Sequence, residues 1–212
     1  MFEKRVFKKD DYILNYVVDY PKNFDERKKY PVIFYFHGMG GVQKGIDTVI
    51  RLCPVRRERI PEDLDFIIVA PSCDDYMWYE DLKNLICFIE YVVNKPYVDA
   101  NRCSLTGSSM GGYTCWLLLV LRSEMFSGAV ICCGGGAYWV AENIKIPVIA
   151  VHGDIDNIVL CRESEIMVKK INECGGNAKL IIKEGYGHNV WTDTYSNAQI
   201  YQWLFINKRT SK

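Results

Sequence analysis

The sequence has no excess of charge of either sign and no apolar run long enough to cross a membrane. Its 212 residues include 26 Lys and Arg and 26 Asp and Glu, so the formal net charge is zero. A neutral chain gives no electrostatic reason to expect nucleic acid or a membrane as a partner. The longest apolar runs, 116–121 and 129–133, fall well short of the roughly 20 residues of a membrane-spanning helix. We therefore expect a small-molecule partner, and the oligomeric state stays open.

The first ten residues lack the apolar core of a secretory signal, and the sequence contains no C-x-x-C pair. Residues 1–10 are rich in charge and contain no apolar signal core. The nine cysteines are scattered, mostly in apolar surroundings, and no Cys/His group has the spacing of a structural zinc site. Such cysteines are typical of a reducing compartment. We expect a cytoplasmic protein that needs neither a metal nor an organic cofactor.

Segments typical of strands and helices alternate along the chain, and no repeat or low-complexity linker separates them. We therefore predict one domain over residues 1–212. Strands rich in Val and Ile that alternate with helices indicate the α/β class, with a mostly parallel sheet covered on both faces. Strands are predicted at 12–20, 31–36, 66–70, 103–106, 128–132, 147–151 and 179–183, and helices at 79–93, 113–122, 161–174 and 194–206.

The most informative motif is Gly107-Ser108-Ser109-Met110-Gly111, which has the form G-x-S-x-G. It follows a predicted strand and precedes an apolar helix, which is the context of a nucleophile elbow. Glycines two residues on either side of Ser109 allow a turn too sharp for larger side chains. The turn exposes the hydroxyl at a helix N-terminus, where negative charge is stabilised. Ser109 is therefore the candidate nucleophile.

A serine nucleophile needs a base, and the sequence offers three histidines. His37 and His152 each directly follow a predicted strand and precede a glycine, which suits residues that hold a loop in place. His188 lies in a glycine-flanked loop after the last predicted strand. Because ligands of parallel sheets bind at the carboxyl ends of the strands, all three loops should meet Ser109 at one edge. We assign the base to His188.

Asp154 and Asp156 compete as the acid that orients the base. Both follow the predicted strand 147–151, and one of them could instead bond to its own loop backbone, as turn aspartates do. We favour Asp156, because it lies further from the strand end. Asp193 is a weaker alternative, since it is predicted to cap a helix that begins at Thr194.

The order Ser109, Asp156, His188 is that of α/β-hydrolases. Over residues 31–206 the chain resembles this superfamily, and within it the small esterases grouped with feruloyl and acetyl-xylan esterases, phospholipase/carboxylesterases and prolyl-oligopeptidase-like predicted peptidases. The resemblance assigns the acid to Asp156 and the backbone N–H donors of an oxyanion hole to Met39 and Met110. The segments that carry it are 37–38, 101–102, 107–112, 152–156 and 187–191.

The resemblance implies an α/β-hydrolase fold with a minimal lid or none, because only residues 133–146 lie where many relatives carry a lid. We expect a carboxylesterase that acts through an acyl-enzyme on short-chain, carbohydrate or aromatic esters. The alternatives are a peptidase or acyl-thioesterase of the same fold, a noncatalytic binding module, and thiol chemistry through Cys73 or the Cys132–Cys133 pair. The aromatic residues predicted to line the substrate pocket, each equally able to serve in ordinary packing, are Trp191, Trp78, Tyr76, Trp139 and Tyr138.

Overall fold

A computed structural model describes residues 2–209 of the chain. Its centre is an eight-stranded sheet in the order β1-β2-β4-β3-β5-β6-β7-β8. The strands are β1 (Glu3–Lys9), β2 (Tyr12–Asp19), β3 (Tyr30–Phe36), β4 (Ile67–Pro71), β5 (Val98–Ser108), β6 (Gly128–Cys132), β7 (Val148–Gly153) and β8 (Ala178–Lys183). The helices are α1 (Ile46–Leu52), α2 (Leu82–Val93), α3 (Met110–Arg122), α4 (Arg162–Glu173), α5 (Trp191–Thr194) and α6 (Ala198–Ile206).

Six of the eight strands form a parallel sheet. β4, β3, β5, β6, β7 and β8 pair in parallel, and β1 and β2 are joined to β4 as an antiparallel extension. Every residue of β3, β4, β6 and β7 is buried, since helices cover both faces of the sheet. α2, α3 and α4 pack on one face, and α1 and α6 on the other. The predicted α/β-hydrolase architecture is confirmed.

Strand β1 and helix α1 are absent from the sequence-based prediction, which contains β2 as the strand 12–20. Six of the seven residues of β1 are exposed and only Phe7 is buried, so the strand shows little of the apolar alternation by which strands are recognised. α1 spans seven residues, too few for a clear helical period. These two elements lie outside the regular strand–helix alternation.

The predicted helix 194–206 is confirmed for α6 (Ala198–Ile206), but its start is wrong, because a separate short helix, α5, precedes it. α5 ends at Thr194, and α6 begins at Ala198 after Asn197, whose side chain accepts a hydrogen bond from the Gln199 amide. Asparagine is a preferred N-cap because its side chain satisfies a free amide of the first turn. Asp193 consequently lies inside α5 instead of capping a helix, and its carboxylate pairs with Lys183.

Between β6 and β7 the chain holds only a short 3-10 helix, Tyr138–Asn143. No lid domain is inserted there, as the sequence predicts. Among residues 2–209, no helix is long and apolar enough to span a membrane. The loops at the carboxyl ends of β3, β5, β6, β7 and β8 therefore form the accessible rim of the sheet.

Candidate active site

Ser109 lies on a strained turn between β5 and α3. Its φ of 55° is in the left-handed region, which residues other than glycine seldom adopt. The turn is possible because backbones approach closely on both sides of it. A Cβ on Gly107 would lie 2.5 Å from the Gly111 carbonyl oxygen, and one on Gly111 would lie 1.9 Å from the Phe36 carbonyl oxygen. Only glycine fits either position, so the elbow geometry follows from the motif.

A continuous hydrogen-bonded relay joins Ser109, His188 and Asp156. Nε2 of His188 lies 2.9 Å from Oγ of Ser109, and Nδ1 lies 2.7 Å from Oδ2 of Asp156. The three residues come from the ends of β5, β7 and β8, separated by as many as 79 positions in the sequence. The sequence-predicted set is thus brought together in one place.

The carboxylate of Asp156 is buried and ionised. Burial by itself would raise the pKa of Asp156, but the hydrogen bond with His188 and those from the Ile158 and Val159 amides outweigh it. The pKa of Asp156 is consequently below its ordinary value of 3.8. A carboxylate can only accept, so the proton between the two groups is on Nδ1 of His188. Nε2 of a neutral His188 is then free to accept the Ser109 hydroxyl proton.

His37 and His152 are held by their own loops. Nε2 of His37 accepts from the Cys73 amide, and Nδ1 lies 2.8 Å from the Gly38 carbonyl. Burial lowers the pKa of His37 below 6.5, which favours this neutral form. His152 is fully buried, and its ring nitrogens lie 2.8 Å from Ser164 Oγ and the Val159 carbonyl. Neither ring has a nitrogen available for Ser109.

Asp154 contacts the loop that carries His188 without touching the histidine. Its Oδ1 accepts a hydrogen bond from the Gly185 amide at 2.7 Å. A Cβ on Gly153 would lie 2.1 Å from the Tyr186 carbonyl, so the end of β7 packs directly on the same loop. The two competing aspartates thus have different contacts: Asp156 bonds to the imidazole, and Asp154 fixes the loop.

The backbone at Met39 and Met110 borders the Ser109 side chain. Met110 is the first residue of α3, and Met39 is the first residue of a 3-10 helix, Met39–Gly41. Amides in a first helical turn have no acceptor within their own helix. A Cβ on Gly38, next to Met39, would lie 3.3 Å from the Ser109 Cβ, so this loop runs against the serine. The role of these two amides in an oxyanion hole stays a prediction of the resemblance.

The aromatic residues expected to line the pocket have different positions. The Trp191 ring lies edge-on to His188, with centroids 5.4 Å apart. Tyr76 is exposed in the loop after β4, and Tyr138 and Trp139 are exposed in the 3-10 helix after β6. The expectation for Trp78 is corrected, because this side chain is only 5% exposed.

Trp78 instead supports the loop that carries Met39. Its indole N–H donates to the His37 carbonyl at 2.9 Å. Its ring packs against the side chains of Phe36 and His37. We conclude that Trp78 holds this loop in place and does not offer an open face to substrate.

Sequence reasoning missed the contact between Cys133 and the base. Cys133 Sγ donates to the His188 backbone carbonyl at 2.9 Å, and the thiol is buried beside Asp156. The two residues are 55 positions apart, so no local spacing pattern could reveal the contact. The left-handed φ of 49° at Cys133 is equally invisible in a sequence.

The chain is similar to known proteins with hydrolase names. Residues 74–139 match the model of the prolyl oligopeptidase family. A dipeptidyl-peptidase 5 of Porphyromonas gingivalis is 22% identical over 96% of this chain and 37% of its own length. A probable feruloyl esterase C of Aspergillus terreus is 28% identical over 66% of this chain and 58% of its own. The crystal structure of a thermostable esterase superposes with a TM-score of 0.88 at 27% identity, covering 98% of this chain and 63% of the esterase.

The chain is shorter than all three of these relatives and spans between 37% and 63% of their lengths. One of these relatives is named as a peptidase and two as esterases. The chain has the α/β-hydrolase fold and is similar to esterases and peptidases of that fold.

Proposed function

We propose that this protein is a serine hydrolase that cleaves carboxylic esters through an acyl-enzyme, with Ser109, His188 and Asp156 as its catalytic triad. The observation that carries the proposal is the relay of 2.9 and 2.7 Å contacts that ends on a serine in a strained elbow. A serine hydroxyl alone is a poor nucleophile near neutral pH, and a base within hydrogen-bond reach is what activates it.

In the first half of the reaction, the Ser109 oxygen attacks the ester carbonyl carbon while Nε2 of His188 takes the hydroxyl proton. The carbonyl π electrons move to oxygen, and the oxyanion rests on the Met39 and Met110 amides. Loss of one such donor typically costs roughly 3 kcal/mol of transition-state stabilisation. When the tetrahedral intermediate collapses, the C–O bond to the alcohol breaks, and His188 returns its proton to the leaving oxygen.

In the second half, water takes the place of the alcohol. His188 removes a proton from water as it attacks the acyl carbon, and then protonates Ser109 Oγ as the acid leaves. Asp156 stabilises the imidazolium in both halves without itself taking the proton. Its lowered pKa suits this role, because the carboxylate stays ionised at neutral pH.

The substrate class that we propose is a short-chain, carbohydrate or aromatic ester. The short β6–β7 connection leaves the rim accessible, and exposed Tyr76, Tyr138 and Trp139 offer stacking surfaces. Besides contacting His188, Trp191 borders a groove. The other residues that line this groove include Leu52, Thr192, Arg51, Arg56 and Arg59. A leaving group with an aromatic ring or an acidic substituent would fit this groove.

Steady-state turnover of a substrate panel tests the proposal. The panel contains p-nitrophenyl acetate, butyrate and octanoate, methyl ferulate, acetylated xylan and an acyl-CoA. Wild type should hydrolyse at least one oxygen ester, and Ser109→Ala should lose several orders of magnitude, down to the roughly 10³ to 10⁴-fold acceleration over water that other site features supply. Exposed Ser196→Ala is a matched control and should keep wild-type turnover. Turnover by Ser109→Ala near the wild-type rate would refute the nucleophile.

Peptide cleavage is the second candidate, because residues 74–139 match the prolyl oligopeptidase family. The same triad serves ester and amide cleavage, so the leaving group decides between them. A comparison of kcat/KM for acyl p-nitrophenyl esters and for dipeptidyl p-nitroanilides, including prolyl amides, separates the two. If kcat/KM is higher for an anilide than for every ester, the protein is a peptidase and the esterase proposal is wrong.

A further inference from the structure

The reaction gives no role to Cys133, although this residue is held in an unusual position at the site. It directly follows β6 with a φ of 49°, a conformation costly for a side-chain-bearing residue. Its backbone amide donates to the Val151 carbonyl at 2.9 Å, which ties the turn to β7. The side chain is fully buried. The fold therefore fixes a thiol at the point where the loops of Asp156 and His188 meet.

The surroundings of the Cys133 thiol consist of polar groups from both loops. Sγ lies 2.9 Å from the His188 carbonyl, and the amides of Val190 and Gly153 donate toward it. The sulfur, a carboxylate oxygen of Asp156 and a ring nitrogen of His188 all lie within 4.8 Å of one another. That nitrogen is Nδ1 by our interpretation, because Nδ1 faces Asp156 whereas Nε2 faces Ser109.

Sulfur, imidazole nitrogen and carboxylate oxygen are the protein ligands of zinc and of related thiophilic ions. Zinc in proteins is usually tetrahedral, and with Zn–S of about 2.3 Å and Zn–N of about 2.0 Å the two donor atoms are about 3.5 Å apart. The three atoms here lie within 4.8 Å of one another. An ion would therefore draw them together by at most about 1.3 Å. His188 keeps 15% of its side chain exposed, so this ligand borders the rim.

We propose that Cys133, His188 and Asp156 form an inhibitory site for a thiophilic divalent cation such as Zn²⁺ or Cd²⁺. The inhibition rests on the proposed function, because the ion would occupy the nitrogen through which Asp156 orients the base. Binding itself does not depend on that function. This site would be regulatory, and no step of ester cleavage passes through it.

The protons balance as follows. The Cys133 S–H bond breaks, its electron pair forms the S–metal bond, and the proton goes to solvent. His188 loses its Nδ1 proton to solvent, bonds to the metal through the freed lone pair, and gains a solvent proton on Nε2. The net change is one proton released for each ion bound. Nε2–H then donates toward Ser109, so the imidazole no longer accepts the serine proton and turnover stops.

The test needs a background from which the more accessible thiols are removed. Cys87, Cys161 and Cys174 are at least partly exposed and would bind added metal. They are replaced by serine in the full-length chain, which keeps Cys133. The two test variants add Cys133→Ser, which preserves size, or Cys133→Gly, which suits the left-handed φ. Cd²⁺ binding is followed by its thiolate charge-transfer absorption, and ester turnover is measured with and without Zn²⁺.

We expect the background protein to show the Cd²⁺ band at one equivalent and to lose turnover reversibly when Zn²⁺ is added. In both Cys133 variants the band should vanish, and the Zn²⁺ concentration for half-inhibition, relative to each variant's own metal-free rate, should rise at least about tenfold. An unchanged band in Cys133→Ser, or equal Zn²⁺ sensitivity in all proteins, would overturn the site. If the metal-free protein hydrolyses no ester, the proposed function is wrong. The Cd²⁺ absorption band then still shows whether Cys133 binds the metal.

Discussion

Replacing Asp156 by Asn tests the role of the buried carboxylate with little change in shape. The amide oxygen of the variant can still accept from the Ile158 and Val159 amides, as Oδ1 of Asp156 does at 2.9 and 3.0 Å. The amide nitrogen then takes the place of Oδ2, which lies 2.7 Å from Nδ1 of His188 in the wild type. Two donors cannot meet there, so His188 is driven to carry its proton on Nε2. In that tautomer it cannot accept from Ser109.

The expected loss is about 10⁴-fold in kcat, the size known for a serine protease whose triad aspartate is changed to asparagine. At 1.36 kcal/mol for each factor of ten, this corresponds to roughly 5 kcal/mol of transition-state stabilisation. A charged hydrogen bond contributes roughly 1.5–3 kcal/mol. The loss in Asp156→Asn should therefore exceed the contribution of the Asp156–His188 hydrogen bond alone, because His188 also carries its proton on the wrong nitrogen.

The assay is kcat and KM for the best ester of the panel, with Asp154→Asn as the matched control. Asp154 lies two residues away and accepts from the Gly185 amide, a bond that an asparagine oxygen can keep. Asp154→Asn should retain kcat within about threefold, since surface substitutions usually change stability by no more than about 0.5 kcal/mol. If Asp156→Asn keeps kcat within tenfold, or if Asp154→Asn loses as much, Asp156 is not the triad acid.

Three further predictions concern the elbow, the Met39 loop and the buried thiols. Gly111→Ala should lower the free energy of unfolding by about 3 kcal/mol or more in urea melts, because its Cβ would lie 1.9 Å from the β3 backbone. In Gly40→Ala the nearest atom is 3.8 Å away, so that variant should melt close to wild type. Trp78→Phe, which removes the indole donor to the loop, should lower kcat more than it changes KM. Burial raises the pKa of Cys103 from 9.0 to about 12, so the folded protein holds this proton longer than the unfolded chain. The free energy of unfolding should then fall as pH rises from 9 to 12. Cys103→Ala should make this fall less steep, by up to about 1.4 kcal/mol per pH unit. Equal slopes in the two proteins would contradict this.

The site was most predictable where its signals are local. Gly107, Ser109 and Gly111 form a motif whose close backbone contacts are the reason for its spacing. Strand order then restricts which polar loops can meet it, which made His188 and Asp156 the favoured partners. Asp156 and Asp154 differ in which carboxylate faces the imidazole of His188. The path of the chain after β7 determines this, and the local sequence does not reveal that path.

The rest depends on long-range packing. Trp78 is aromatic and close to a strand end, as a pocket residue would be, but its burial against His37 is set by the fold. β1 is a charged edge strand with a single buried Phe7, so its pairing with β2 supplies the order that its own sequence lacks. The contact of Cys133 with the His188 loop joins two distant turns, and no periodicity encodes it.

The most direct test of the central claim is covalent labelling by a fluorophosphonate, followed by intact mass and peptide mapping. Our account predicts a single adduct on Ser109 in wild type, none in Ser109→Ala, and labelling at least about a hundredfold slower in His188→Ala, because the base supplies that order of activation. An adduct at another residue, or wild-type protein that stays unlabelled while it hydrolyses esters, would contradict a Ser109 nucleophile.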